Sequence, residues 1–156
     1  MLEQTSRTVN RWVETWVVVF GLTMAVTVAV QVFSRHVLNH SLFWSEELAR
    51  YLLVWISFFG ASIAYRRNAH PGIDIFYLKM PPSMQKTARI VVHLAALALF
   101  GVMVVYGIRF AWFVRMQITP ALNLPRWAVM SAVPISGVIL IIHNLAAMAR
   151  EWRGSS

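Results

Sequence analysis

Four long apolar runs, separated by short polar stretches, set the pattern of this chain. They cover residues 12–33, 48–65, 90–108 and 127–148. Each has roughly the 17–25 residues that a helix needs to cross the hydrocarbon core of a bilayer. Because backbone N–H and C=O groups find no water in lipid, such runs form helices. The pattern therefore predicts an all-α integral membrane protein, with residues 1–156 forming a single four-helix domain.

The composition agrees with a membrane protein and narrows the chemistry. Of the 156 residues, 58% are hydrophobic and only 13% are charged, whereas a soluble domain is about one quarter charged. The sequence has no cysteine, which excludes disulfides, thiol catalysis and cysteine-ligated metals. It also has no Ser-His-Asp set, glycine-rich phosphate loop or deep carboxylate pair. The sequence therefore gives no indication of an enzyme.

The basic residues lie at the ends of the apolar runs, and their distribution predicts the orientation. The net charge is +8, but without a basic face the chain is not expected to bind nucleic acid. Two Lys or Arg residues precede the first run, five lie between the second and third, and two follow the fourth, which makes nine; the opposite ends carry five. Since loops rich in Lys and Arg remain in the cytoplasm, both termini are expected there.

The connection between the second and third runs is not a plain polar loop. Pro71 and Gly72 are expected to end the second helix. Residues 73–80 are mostly apolar and aromatic, a pattern typical of a short segment lying in the membrane interface. The third helix is expected to begin near Ser83, which would serve as its N-cap.

A cluster of charged residues opens the second run and has two interpretations. Ser45 is a suitable N-cap, and Glu46 and Glu47 in the first turn would complement the helix dipole. Glu46 and Arg50 are spaced to form an i,i+4 pair. The alternative is that these charges dock another membrane subunit, because charges at a membrane boundary are costly and need a reason.

Small residues and a proline indicate where helices pack closely. Ser57, Gly60, Ala61 and Ala64 form two interleaved small-xxx-small pairs in the second run, a spacing that favours helix association in lipid. Pro134 lies inside the fourth run and is expected to kink that helix.

Two other functions remain open from the residues alone. His93 and His143 lie at similar depth and could ligate a b-type haem across helices, although hydrogen-bonded packing histidines are the simpler interpretation. Glu14 enters the first run, where small proton-coupled exporters place a membrane carboxylate. Its position at the edge of the run also allows a pair with Arg11 or contact with water.

Three groups of residues resemble a known family. They are Trp44, Ser45, Glu46, Glu47, Ala49, Arg50, Tyr51, Trp55, Gly60 and Ala61 in the second helix, Arg66, His70 and Asp74 after it, and Leu124, Pro125, Arg126, Trp127 and Pro134 at the fourth helix. In this pattern, and in its four helices, the chain resembles the small membrane subunit (DctQ-type) of tripartite ATP-independent periplasmic (TRAP) transporters. The resemblance spans nearly the whole chain.

The resemblance implies a transporter subunit that is not an enzyme and has no cofactor. In such systems a periplasmic substrate-binding protein captures a substrate, often an organic acid, and a large membrane subunit carries it with sodium ions. The small subunit is expected to scaffold the large one in the cytoplasmic (inner) membrane of a bacterium or archaeon, in contact with membrane lipid. Candidate residues for contact with the partner are Trp44, Glu46, Glu47, Arg50, Trp55, Gly60 and Ala64, and His70 and Asp74 mark the interfacial segment.

Overall fold

A computed structural model describes residues 2–67 and 82–154. The described residues form five α-helices and no strand; the only β-like feature among them is an isolated bridge between Ile118 and Pro125. In chain order the helices are α1 (Leu2–Val37), α2 (Phe43–Arg66), α3 (Pro82–Phe113), α4 (Arg126–Met130) and α5 (Ala132–Gly154).

Four segments of the described chain are long and apolar enough to cross a membrane, which confirms the predicted fold class. They are Leu2–Val37, Phe43–Arg66, Thr87–Phe113 and Arg126–Arg150. Each helix extends beyond the apolar run that predicted it. The predicted interfacial segment with His70 and Asp74 lies outside the described residues.

The third helix begins near Ser83, as predicted, but its first residue is Pro82, so Ser83 lies inside α3 and is not its N-cap. A proline suits the first position of a helix, since an N–H group there has no partner within the helix.

The central helix of the bundle is α5. It contacts α1, α2 and α3, while α1 packs along α2. In the most apolar stretch of the fourth span, which α4 and α5 form together, half of the residues are buried. The corresponding share is 11–17% in the other three spans. The remaining helices therefore present broad apolar surfaces to lipid or to a partner.

An apolar core joins α1, α2 and α5. Val13, Phe59 and Ile139 are buried at its centre. Trp55 and Phe20 pack around them, with the Trp55 ring edge-on to Phe59 at a centroid distance of 5.1 Å. Aromatic pairs in this geometry stabilise packing beyond the area that they bury. Trp55, a candidate for contact with a partner, thus lies half-buried between two helices of its own chain.

Pro134 interrupts the fourth span, as predicted. Helix α4 ends at Met130, Ser131 follows, and α5 begins at Ala132. Proline cannot donate a hydrogen bond to the carbonyl four residues earlier, and its ring crowds that carbonyl. The break is small, because Ser131 keeps near-helical angles (φ −65°, ψ −15°) and its carbonyl accepts the N–H of Ile135 at 3.1 Å.

Two glycines let α3 and α5 approach closely. A Cβ added to Gly137 would lie 2.9 Å from Cγ2 of Val104 and 3.2 Å from the Phe100 carbonyl oxygen. A Cβ added to Gly107 would lie 2.9 Å from Cδ of Pro134. These separations are shorter than van der Waals contact, so glycine is what lets these two helices meet.

The bundle has two ends, which are named here by the chain segments that they hold. The terminal end contains the start of α1 and the last turns of α5. The loop end contains residues 38–42, between α1 and α2, and residues 114–125, between α3 and α4.

Candidate functional site

Glu47, just after the first turn of α2, joins this helix to the loop between α3 and α4. The residue is 9% exposed, and its Oε2 accepts the backbone N–H groups of Ala121 and Leu122, both at 2.8 Å. Tyr51, one turn later, donates its hydroxyl to Oε1. Three donors therefore satisfy the carboxylate without a cation, and hydrogen bonds to an ionised acceptor are the stronger kind.

The loop between α3 and α4 is a closed turn. The Thr119 N–H donates to the Leu124 carbonyl at 2.9 Å, and the Leu124 N–H donates to the Thr119 hydroxyl at 3.0 Å. The Arg126 N–H donates to the Gln117 carbonyl at 2.9 Å. Asn123 adopts a positive φ of 53°, which asparagine tolerates better than most residues. The turn thus presents its N–H groups to α2 in a fixed geometry.

Two expected contacts of the charged cluster are wrong. Ser45 is not the N-cap of α2, because the helix begins two residues earlier and Leu42 occupies that position. The buried Ser45 hydroxyl instead donates to the Leu42 carbonyl at 2.6 Å. Glu46 forms no pair with Arg50; it accepts a hydrogen bond from Gln31 of α1 at 3.2 Å. Of the two acidic side chains, only Glu47 is buried.

One surface of α2 is left uncovered, and it will be called the α2 face. Its exposed residues recur three or four positions apart: Glu46, Arg50, Leu53, Ser57 and Ala61. Half-exposed Gly60 and Ala64 border them, and a Cβ added to Gly60 would meet nothing within 4 Å. Trp44 is 41% exposed at the loop end. Of the seven candidate residues for contact with a partner, all but Glu47 and Trp55 thus lie on this face, beside it or near its loop end.

A second set of polar contacts lies toward the terminal end, between helices. Asn144 Oδ1 accepts the Tyr65 hydroxyl at 3.0 Å and is hydrogen-bonded to Nδ1 of His93, while Asn144 Nδ2 donates to the His93 carbonyl at 2.9 Å. The Ser6 hydroxyl and Nδ1 of His143 are hydrogen-bonded at 2.9 Å. Residues of α1, α2, α3 and α5 are therefore tied together by buried and partly buried side chains.

This network favours a packing role for the two histidines. Each imidazole has its Nδ1 bonded to a different side chain, Asn144 for His93 and Ser6 for His143. Within residues 2–67 and 82–154, no three His, Asp or Glu side chains are grouped to hold a metal ion. The haem interpretation gains no support from this geometry.

Glu14 links α1 to the end of α2: it pairs with Arg67 instead of Arg11 and remains partly exposed. Its Oε1 accepts hydrogen bonds from Nη2 of Arg67 and Nδ2 of Asn10, both at 2.8 Å. The Glu14 side chain is 37% exposed. A carboxylate engaged in this way at the edge of the span favours a structural link over a proton carrier of an exporter.

Replacing Asn144 with alanine is expected to lower the free energy of unfolding by about 1–2 kcal/mol. The substitution removes three hydrogen bonds between helices. The Tyr65 hydroxyl, His93 Nδ1 and the His93 carbonyl oxygen each lose one partner. The measurement is unfolding by SDS titration in mixed micelles, followed by circular dichroism. Leu145→Ala, at the next and 39% exposed position, is the control; an equal loss in both variants would show that the network contributes nothing.

The family model described as tripartite ATP-independent periplasmic transporters, DctQ component, matches residues 24–154. This chain belongs to that family. The match includes the whole of α2, α3, α4 and α5 and part of α1.

Related proteins carry names of the same transporter type. The chain is similar to the sialic acid TRAP transporter small permease protein SiaQ of Vibrio cholerae, 28% identical over 115 residues, which are 74% of this chain and 66% of SiaQ. It is 31% identical over 108 residues to the C4-dicarboxylate TRAP transporter small permease protein DctQ of Rhodobacter capsulatus (67% of this chain, 47% of that protein). The sialic acid TRAP transporter permease protein SiaT of Haemophilus influenzae is 26% identical over 123 residues, 79% of this chain but 20% of SiaT. The chain thus spans about a fifth to about two thirds of these relatives.

Two stretches that carry the resemblance to the DctQ component meet in the structure. Glu47 belongs to the first, and the loop that it binds leads into the second, Leu124–Trp127. This link was not predicted from the sequence, and neither was the burial of Thr119, which is 1% exposed. No sequence signal connected residues 119–124 to α2, since the donors are backbone N–H groups.

Proposed function

We propose that this chain is the small, non-catalytic membrane subunit of a TRAP transporter. Membership of the DctQ-component family over residues 24–154 carries the proposal. Four helices of membrane-spanning length support it, as do the two relatives that are named small permease proteins.

The partner proposed for this subunit is a large membrane subunit. The region similar to this chain makes up only 20% of SiaT, so in that protein it is part of a much longer permease polypeptide. In a transporter built from separate chains, the small subunit must bind its large partner through contacts between helices in the membrane.

The α2 face is the surface proposed for this contact. Helices in lipid associate through close packing of small residues and through polar bonds, because lipid provides no hydrophobic driving force. Close packing is possible at Ser57, Gly60 and Ala61, and a polar bond is possible at Arg50 near the loop end. Within the described residues Arg50 forms no ion pair, and a carboxylate or carbonyl oxygen of the partner would satisfy its guanidinium.

The proposed setting is the cytoplasmic membrane of a bacterium or archaeon, with both termini in the cytoplasm. The excess of Lys and Arg on the side of the termini, nine against five, supports this orientation. The loop end then faces the periplasm, where a substrate-binding protein would approach the complex. Uptake of an organic-acid substrate with sodium ions is proposed for the complex and would be carried out by the large subunit.

Replacing Gly60 with leucine is expected to reduce recovery of the partner at least about tenfold, since intersubunit helix packing in lipid depends on close approach. The isolated chain should stay folded, because nothing lies within 4 Å of the added Cβ. The measurement is affinity purification of the tagged chain from its native membrane, with mass spectrometry of the proteins that accompany it. Wild-type chain is expected to recover one larger polytopic protein in about equal amount, as a complex of two membrane subunits requires.

Gly21→Leu on α1 is the matched control, because the Cβ of that residue also meets nothing within 4 Å. Loss of the partner in Gly60→Leu alone would support the α2 face. Equal loss in both variants, or no loss in either, would contradict that surface while leaving the proposed function standing. Recovery of the wild-type chain without any larger membrane protein would contradict the proposed function itself.

A further inference from the structure

An apolar groove of about 450 Å³ opens at the loop end, between the end of α3 and the break between α4 and α5. Its walls include Ala111, Trp112, Trp127 and Pro134, and Arg115 lies among the lining residues. Trp112 is 67% exposed and Trp127 48% exposed, so the groove opens sideways to the surroundings of the helices. It lies apart from the α2 face and from Glu47.

The groove lies beside the close contact between α3 and α5. Gly107 and Pro134 form this contact, since an added Cβ on Gly107 would lie 2.9 Å from Pro134 Cδ. Next to it the fourth span is interrupted at Ser131, between α4 and α5. Ser131 and Pro134 both line the groove.

The interior of the groove suits a hydrocarbon chain. Apart from Arg115, its lining is apolar or aromatic except for Ser131, which already donates its hydroxyl to the Ala128 carbonyl at 2.7 Å. A helix is about 10–12 Å across, so about one turn would fill 450 Å³. A slender acyl chain fits such a slot, whereas a partner helix does not.

The Arg115 side chain supplies a cation for the head of such a ligand. It follows the end of α3 by two residues, its guanidinium lies 4.2 Å from the centroid of the Trp112 ring, and Nη1 donates to the Trp112 carbonyl at 3.0 Å. The stacking fixes the position of the guanidinium, and its remaining N–H groups suit phosphate oxygens. Both ion pairs found among the described residues lie toward the terminal end, so no carboxylate described here competes for Arg115.

We propose that this groove binds one anionic phospholipid of the leaflet at the loop end. The phosphate contacts Arg115, and one acyl chain lies between Trp112 and Trp127 and reaches Pro134. The two tryptophans lie near helix ends, at the level expected for lipid headgroups. The amphipathic indole ring is favoured at that level. The guanidinium is expected to bind an anionic headgroup more tightly than a zwitterionic one, because the cation of a zwitterionic headgroup weakens the attraction.

The test is native mass spectrometry of the full chain, purified in mild detergent and titrated with phosphatidylglycerol or phosphatidylcholine. The unaltered chain is expected to retain one phosphatidylglycerol molecule more tightly than phosphatidylcholine. Arg115→Gln should weaken phosphatidylglycerol binding about fivefold and remove the preference. Arg115→Lys should keep most of the preference. Ala111→Phe should abolish retention of both lipids by filling the groove.

Arg109→Gln is the matched control, because Arg109 lies in the last turns of α3, close to Arg115 in the chain, but its guanidinium is over Tyr106 at 5.9 Å and it does not line the groove. The proposal is overturned if Arg109→Gln and Arg115→Gln weaken binding equally, or if Ala111→Phe retains lipid as the unaltered chain does. A photoreactive residue at position 111 in native membranes provides a second test. Labelling of phospholipid would support the site, and labelling of a polypeptide alone would contradict it.

Discussion

Replacing Glu47 with alanine is expected to release the loop between α3 and α4 from α2. The backbone N–H groups of Ala121 and Leu122 would lose their acceptor, and the Tyr51 hydroxyl would lose a partner at the same time. Hydrogen bonds to an ionised acceptor are among the stronger ones, and donors left unsatisfied in a partly buried place are costly. The loop should therefore open far more often than in the unaltered chain.

The measurement is hydrogen–deuterium exchange followed by mass spectrometry. In Glu47→Ala, amide protons of residues 119–124 are expected to exchange roughly 10- to 100-fold faster, the factor that corresponds to loss of charge-assisted hydrogen bonds. Amides in the middle of α3 and α5 should exchange at their former rates, because Glu47 bonds only to Tyr51 and the loop. Glu47→Gln should give an intermediate rate, since its amide keeps one acceptor oxygen.

Glu46→Ala is the matched control for this prediction. Glu46 is the neighbouring carboxylate of the same turn, but it is exposed and accepts only from Gln31 of α1 at 3.2 Å. Exposed polar contacts of this kind contribute little. If the two alanine variants change loop exchange by the same factor, the buried carboxylate does not hold the loop and the assigned role of Glu47 is wrong.

The contrast between Glu46 and Glu47 shows where sequence reasoning reached its limit. The sequence marked both carboxylates as unusual because charges at a membrane boundary require a reason. It offered capping or docking as that reason, and the structure gives Glu47 a third, which is to bind a loop 74 positions away. Backbone N–H groups occur at every non-proline position, so nothing in residues 119–124 revealed that they donate to α2.

The helices were predictable because their driving force is local, whereas their ends were not. Apolar runs long enough for lipid must be helical, and all four were found. Helix α1 begins near residue 2 because Ser6 and Asn10, which are 3% exposed, lie on a face covered by other helices. That cover comes partly from His143, far along the chain. Similarly, the aromatic Trp55 suggested contact with a partner, and only the structure shows that it is half-buried against the apolar core of its own chain.

The small residues of this chain serve two different purposes, which the sequence alone did not separate. A Cβ added to Gly137 would contact α3, whereas Cβ atoms added to Gly60, Gly21 and Gly101 would meet nothing within 4 Å. The structure shows Gly137 packed against α3 within the chain, whereas Gly60 borders the uncovered α2 face. The α2 face would pack closely in the same way only against a helix of a partner.

Gly137→Leu is accordingly expected to lower the free energy of unfolding by about 3 kcal/mol or more, at the upper end of the cost of overpacking a close contact. The added Cβ would lie 2.9 Å from Cγ2 of Val104 and 3.2 Å from the backbone oxygen of Phe100, so α3 and α5 must move apart before a longer side chain fits. The measurement is SDS titration in mixed micelles, followed by circular dichroism.

A second substitution separates side-chain crowding from backbone crowding at this contact. Val104→Ala removes the Cγ2 atom that lies 2.9 Å from the added Cβ, but the Phe100 carbonyl oxygen at 3.2 Å remains. The pair Gly137→Leu with Val104→Ala should therefore recover only part of the lost stability. Gly101→Leu, on the open side of α3, is expected to change the free energy of unfolding by less than about 1 kcal/mol, since exposed helix positions favour leucine over glycine. A loss in Gly101→Leu as large as in Gly137→Leu would show that leucine at any glycine of these helices is harmful, and that the close approach of α3 to α5 is not its cause.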